Sequence, residues 1–160
     1  MRGTITGSLQ EGIDTMRDRM CTQIWFVDDK HANHDTWRRS FPAALAASCE
    51  LRSFFSVGQI FVEFEKANIP DILFIDFFID GRLGTEVIRW FTGKPIRPVL
   101  IAHSSMNEAN QGMVREGADF YLEKIKNVPQ TESIQAAFQT TDDVASIIQT
   151  RTITRTHLNP

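Results

Sequence analysis

Long apolar runs are missing from this 160-residue chain. No stretch approaches the ~18 consecutive apolar residues of a membrane-spanning helix, and Met1–Met20 lacks the apolar segment of a secretion signal. A cytoplasmic protein with no membrane partner is therefore expected. Cysteine is scarce, limited to Cys21 and Cys49, which suits reduced thiols and not a disulfide framework. An excess of positive charge is also missing: 17 Lys and Arg stand against 20 Asp and Glu, for a net charge of −3. A protein that lives on phosphate-backbone contacts should be clearly basic, so nucleic acid is not an expected partner. Tyrosine occurs once, against twelve phenylalanines and three tryptophans. The chain is nonetheless 42% hydrophobic and 23% charged, enough to bury one core at this length and to exclude disorder.

Along the chain, short apolar runs alternate with helical patterns. Residues 1–21 read as a polar leader, residues 22–149 as the folded domain and residues 150–160 as a mobile tail. Ile24–Val27 and Ile72–Ile75 read as buried strands, and Glu50–Phe55, Val99–Ala102 and Phe120–Leu122 as further strands. Between them fall helices from Asn33 or Asp35 through Ala46 (with Pro42 awkwardly inside), over Val57–Lys66, Thr85–Phe91 and Asn107–Glu116, and last over Glu132–Gln149. Strands alternating with helices predict a doubly wound α/β fold around a five-stranded parallel sheet.

In such sheets the functional crevice lies beyond the carboxyl ends of the strands. Polar chemistry gathers there: Asp28 and Asp29 after the first strand, Asp76 after the third, His103-Ser104-Ser105 after the fourth, and Lys124 after the fifth. A single aspartate at a strand end is more often a cap or turn residue; three sites and a lysine together point to chemistry. Carboxylates brought together repel unless a cation neutralises them, and hard oxygen ligands suit Mg²⁺. An aspartate beside Mg²⁺ and a lysine is a credible nucleophile for phosphoryl transfer. His31 and His34 follow the acidic pair but lack a third soft ligand and read as solvated. Trp25 and Trp37 read as core, Cys49 as a buried small hydrophobe, and Asp80-Gly81 as a turn.

The segment from Ile24 to Lys124 resembles the receiver domain of bacterial two-component response regulators. Asp28-Asp29 is similar to the family's acidic pair, Asp76 stands where the phosphorylated aspartate is found, and Gly84 follows eight positions later. Gly117-Ala118-Asp119-Phe120-Tyr121-Leu122-Glu123-Lys124 is similar to the Gly-Ala-Asp-x-Tyr-x-x-Lys signature. Two family prolines are absent: Ile125 follows the lysine, and the loop after Asp76 reads Phe77-Phe78-Ile79-Asp80-Gly81-Arg82-Leu83-Gly84. The Thr or Ser at the end of strand four has three candidates. Counting from Pro98 points to His103, counting back from Gly117 points to Ala102, and chemistry favours Ser104, whose hydroxyl can meet a phosphoryl oxygen.

The resemblance implies a flavodoxin-like strand order 2-1-3-4-5 and a phosphoryl group accepted on Asp76 from a histidine kinase or phosphotransfer protein. It further implies Mg²⁺ held by Asp29, Asp76 and the Phe78 carbonyl, with Asp28 assisting. Lys124 would pair with the phosphoryl group, and Ser104 and Tyr121 would act as the switch. No output domain is expected after Gln149, so signalling would run through contacts with a protein target, as a monomer or weak dimer, with no enzymatic turnover beyond self-phosphorylation and self-dephosphorylation. Two rivals stand beside this reading: a receiver-like module that takes no phosphate, and an aspartate-nucleophile phosphatase of the haloacid-dehalogenase type. The latter requires a second aspartate where Phe78 stands. Because a cis bond before a non-proline residue costs about 3 kcal/mol, Ile125 should follow a trans bond, giving the loop a path of its own while Lys124 still reaches Asp76.

Overall fold

A computed structural model of the chain describes residues 21–153. Its first half runs β1 (Thr22–Val27), α1 (His31–Arg39), α2 (Ala43–Ser48), β2 (Cys49–Phe54), α3 (Val57–Glu65), β3 (Ile72–Ile75), β4 (Phe78–Ile79) and β5 (Arg82–Leu83). It continues through α4 (Gly84–Trp90), β6 (Val99–Ala102), α5 (Asn107–Glu116), β7 (Phe120–Tyr121), α6 (Thr131–Ala137) and α7 (Thr141–Thr150). Five strands form one parallel sheet in the order β2-β1-β3-β6-β7. This is the expected 2-1-3-4-5 order once the short antiparallel hairpin β4–β5 is set aside.

The apolar runs are continuous because both faces of the sheet are covered. Every residue of β3 and β6 is buried. Alternation along the strands sends Trp25, Val27, Leu73, Ile75 and Leu100 to a core shared with α3, α4 and α5. Phe26, Phe74 and Ile101 face the other way, into a core with Trp37, Phe41, Leu45, Ile134, Phe138 and Ile147. Trp25 and Trp37 are core residues, as expected. Cys49 is only half-buried, and burial raises its thiol pKa.

Two expected helices are each a pair. Proline has no N–H to donate and fixes its own φ, so the first helix ends at Arg39 and Pro42, with φ −55°, leads into α2. The last helix breaks after Ala137. Thr140 Oγ1 accepts from Asp143 N (3.1 Å) while the Asp143 carboxylate accepts from Thr140 N (3.1 Å), a reciprocal cap that starts α7. The tail expected from Thr150 onward is tied down in its described part: Arg151 donates to the carbonyls of Pro98 (2.9 Å) and Arg97 (3.0 Å), and Ile153 packs on the core. Residues 1–20 of the expected leader and residues 154–160 lie outside the described residues. Among the described residues, no helix is long and apolar enough to cross a membrane.

Gly84 opens α4 where the chain doubles back under the β3 end. A Cβ there would lie 2.0 Å from the Asp76 carbonyl oxygen and 2.7 Å from Ile75 Cγ2, and its N–H donates to Phe77 O at 2.7 Å. Backbone cannot yield as a side-chain tip can. Gly84→Ala is expected to cost ~3 kcal/mol or more by overpacking, read as a lower urea midpoint with unchanged slope.

Candidate functional site

Each strand of the parallel sheet delivers its carboxyl end to the same rim, and backbone hydrogen bonds carry the ladder past the strand ends, by one residue at β1, β3 and β6 and by three at β7. Asp28 N–H donates to Phe54 O (3.0 Å), Asp76 N–H to Val27 O (3.1 Å), His103 N–H to Ile75 O (2.8 Å), and Lys124 N–H to Ser104 O (3.0 Å). The polar residues therefore start from positions fixed by the sheet. Asp28, Asp76 and Lys124 continue the faces of Phe26, Phe74 and Leu122, so all three side chains project over the same core.

Lys124 Nζ lies 2.8 Å from Asp28 Oδ2 and 3.0 Å from Asp76 Oδ1, with its side chain only 3% exposed. A trans bond leads to Ile125, since no cis peptide occurs among the described residues. A tight turn closed by Ile125 and Val128, each N–H donating to the other's carbonyl at 3.0 Å, follows the lysine directly. Asp28 is fully buried and heavily supported: Oδ1 accepts from Lys30 N (2.8 Å) and Oδ2 from Asn33 Nδ2 (2.9 Å). Asp76 Oδ1 also accepts from Phe77 N at 2.8 Å. Asp29 is exposed, and its Oδ2 accepts from Asp80 N at 2.8 Å, at the tip of the β4–β5 hairpin.

Three carboxylate oxygens, one each from Asp28, Asp29 and Asp76, lie within 4.8 Å of one another. Such a set of hard donors, partly open to water, fits a divalent cation of the Mg²⁺ kind. Burial pushes the Asp76 carboxyl up to about 6, with the charge of Asp28 adding to the effect and Lys124 opposing it. Burial also pushes Asp28 upward, but there Lys124 and three hydrogen bonds outweigh it, and Asp28 ends below the usual carboxylate range. Asp28 is thus the fixed anion and Asp76 the charge-sensitive one.

The other sequence-derived site residues fall at the rim. The β3–β6 register pairs Ile75 with Ala102, so the next step sets His103 beside Asp76. His103 is fully buried against Phe26 and Phe74, donates Nδ1–H to the Leu122 carbonyl, and is held neutral by burial, which lowers its pKa to about 4. Ser104 is buried one residue further on; its Oγ accepts from Met106 N at 3.1 Å, and Asn110 brackets its backbone. Tyr121 pairs in register with Ala102 and is 38% exposed. Phe78 is on the hairpin, two residues past Asp76, with its ring in solvent.

His34 corrects the sequence reading. It is buried, not solvated; Nε2–H donates to the Asp28 carbonyl at 2.7 Å, and burial lowers its pKa. Exposed His31 stacks on Phe55 at 4.0 Å between centroids. Asn33 suggests a cap by sequence, yet it lies inside α1 and supports Asp28. The position of these residues one turn into the helix after Asp28-Asp29 is the signal that would have placed them near the site.

No protein-family model and no curated protein matches the chain. Solved structures do match. The receiver domain of Francisella response regulator 1452 is 14% identical with a TM-score of 0.61, the match covering 82% of this chain and 99% of that one. A CheY-like response regulator receiver domain from Methylobacillus flagellatus is 19% identical with a TM-score of 0.56, over 82% and 99%. NtrX from Brucella abortus is 18% identical with a TM-score of 0.62, over 82% of this chain and 29% of that one. The chain has the fold of response-regulator receiver domains.

Proposed function

We propose that the chain is a phosphoacceptor receiver, with Asp76 as the acceptor. The observation that carries this reading is the Lys124 ammonium, buried between Asp28 and Asp76 within 3.0 Å of both. An Asp76 oxygen attacks the phosphorus of a phosphohistidine on a kinase or phosphotransfer protein; the P–N bond breaks as the P–O bond of an acyl phosphate forms. Lys124 exchanges part of its pairing with Asp76 for a phosphoryl oxygen. Asp29, Asp76, the Phe78 carbonyl and, less directly, Asp28 would hold Mg²⁺, which supplies charge neutralisation for the incoming group. Ser104 has a hydroxyl proton to donate while its oxygen accepts from Met106; with Tyr121 it forms the proposed switch towards a protein target.

One observation favours the phosphate-independent alternative. The residue that follows β6 and stands beside Asp76, His103, is a buried imidazole whose N–H is already committed to Leu122, and not a hydroxyl. Incubation with acetyl phosphate and Mg²⁺ followed by intact mass separates the two readings. One added phosphoryl group on the parent and none on Asp76→Asn is the expected result; no addition to the parent would favour the alternative.

Mg²⁺ binding itself should depend on pH, because cation and proton compete for Asp76. With Asp76 titrating at about 6, calorimetric affinity should be full above pH 7 and fall steadily below pH 6. Asp29→Ala should remove most of the binding at pH 7 while leaving the Lys124 pairs in place. An Asp29→Ala protein that titrates like the parent would contradict this ligand assignment.

A further inference from the structure

Asn33 is a buried residue, 2% exposed, whose side chain uses both amide hydrogens. Nδ2 donates to Asp28 Oδ2 and to the backbone carbonyl of Asn127, each at 2.9 Å. Asn127 belongs to the turn that follows Lys124, where Lys126 (φ 50°) and Asn127 (φ 62°) both take the left-handed conformation. Its own Oδ1 accepts from Ser105 Oγ at 2.6 Å. One buried amide therefore joins the β1 carboxylate to the turn behind the lysine, and the turn is tied in addition to the loop after β6. Asp28 Oδ2 accepts from both Asn33 and Lys124.

We infer that Asn33 is a positioning residue: it clamps the 125–128 turn to Asp28 and thereby holds the Lys124 ammonium against Asp76. An amide suits this place better than any other group. It supplies two donors and no charge, whereas a carboxylate would repel Asp28, and an apolar residue would leave the part-buried Asn127 carbonyl and one buried Asp28 lone pair without their donor. The clamp performs here, through a side chain, the loop-shaping task that a rigid residue after the lysine would otherwise perform. The functional consequence rests on the phosphoacceptor reading; the geometric one does not.

Two readouts keep these apart. In ¹⁵N-labelled protein the Lys124 ammonium protons, buried and held by two carboxylates, should exchange slowly with water. Asn33→Ala should accelerate that exchange about tenfold, the effect of losing a hydrogen bond to a charged group, and should slow phosphoryl uptake from acetyl phosphate at saturating Mg²⁺ by a similar factor. Ser105→Ala, which cuts only the outer tie, should accelerate exchange about threefold, and Ser105→Thr should restore it; this pair decides the matter if Asn33→Ala fails to fold. Ile134→Val, a core change away from the site, controls for general loosening and should leave exchange at the parental rate. Exchange in Asn33→Ala no faster than in Ile134→Val, or in Ser105→Ala no faster than in the parent, would overturn the clamp. A parent that takes no phosphoryl group would overturn the phosphoacceptor reading alone, with the exchange rates still deciding the role of Asn33.

Discussion

Asp76→Asn is expected to make the folded chain about 2–3 kcal/mol more stable at pH 7 while abolishing phosphoryl uptake. Burial and the neighbouring Asp28 raise the Asp76 carboxyl from 3.8 to about 6, so at neutral pH the fold holds an ionised group it disfavours. Converted at ~1.4 kcal/mol per pH unit, that displacement is about 3 kcal/mol, reduced somewhat because the variant leaves Lys124 with one carboxylate. The direction with pH follows. A carboxyl with a raised folded pKa destabilises above that pKa, and the penalty disappears as pH falls towards the unfolded value. The variant's advantage should therefore be complete above pH 7 and gone near pH 4. His103 works in the opposite direction: burial depresses its pKa to about 4, so the unfolded chain takes that proton first and stability falls as pH drops from 6.5 towards 4. In the parent, protonation of Asp76 offsets this loss. In the variant it does not, and the decline should be steeper. Urea unfolding of both proteins at pH 7 and pH 4.5 measures the difference; a variant less stable at pH 7 would show that Asp76 is not strained by its surroundings.

Lys124→Met should have the larger structural effect. Removing the cation from between the buried Asp28 and the half-buried Asp76 leaves Asp28 without its 2.8 Å partner and Asp76 without its 3.0 Å partner. Breaking a buried pair by deleting one member costs ~3–5 kcal/mol, and phosphoryl uptake should fall below detection with it. In an Asp76→Asn background the same change should cost at least ~1 kcal/mol less, because one of the two stranded charges is already gone. Equal costs in both backgrounds would mean that Lys124 and Asp76 are not energetically coupled.

The sheet was legible mainly from its central strands, where Ile24–Val27, Ile72–Ile75 and Val99–Ala102 are short apolar runs each stopped by a polar residue; Val99–Ala102 and Asn107–Glu116 match the structure to the residue. The two helix breaks were less so. Pro42 announced the first, but the second depends on a Thr140–Asp143 cap hidden inside a continuous apolar pattern. Asp28, Asp29, Asp76 and Lys124 could be gathered on paper because a parallel sheet brings all its carboxyl ends to one rim. The support around them could not. Asn33 and His34 look like polar residues at a helix start; only the packing of α1 over the sheet turns them inward to Asp28. His103 shows the same limit: spacing marks it as one candidate beside Asp76, whereas the register, with Ile75 opposite Ala102, places it there.

The acceptor itself can be located chemically. Borohydride reduces an acyl phosphate to the alcohol, converting a phosphorylated aspartate to homoserine, which tandem mass spectrometry places in the sequence. After treatment with acetyl phosphate and Mg²⁺, homoserine should appear at position 76 alone, and not at all when Mg²⁺ is withheld. Homoserine at position 28, 29 or 80, or its absence from every position in the Mg²⁺-treated protein, would contradict the assignment of Asp76 as the phosphoacceptor.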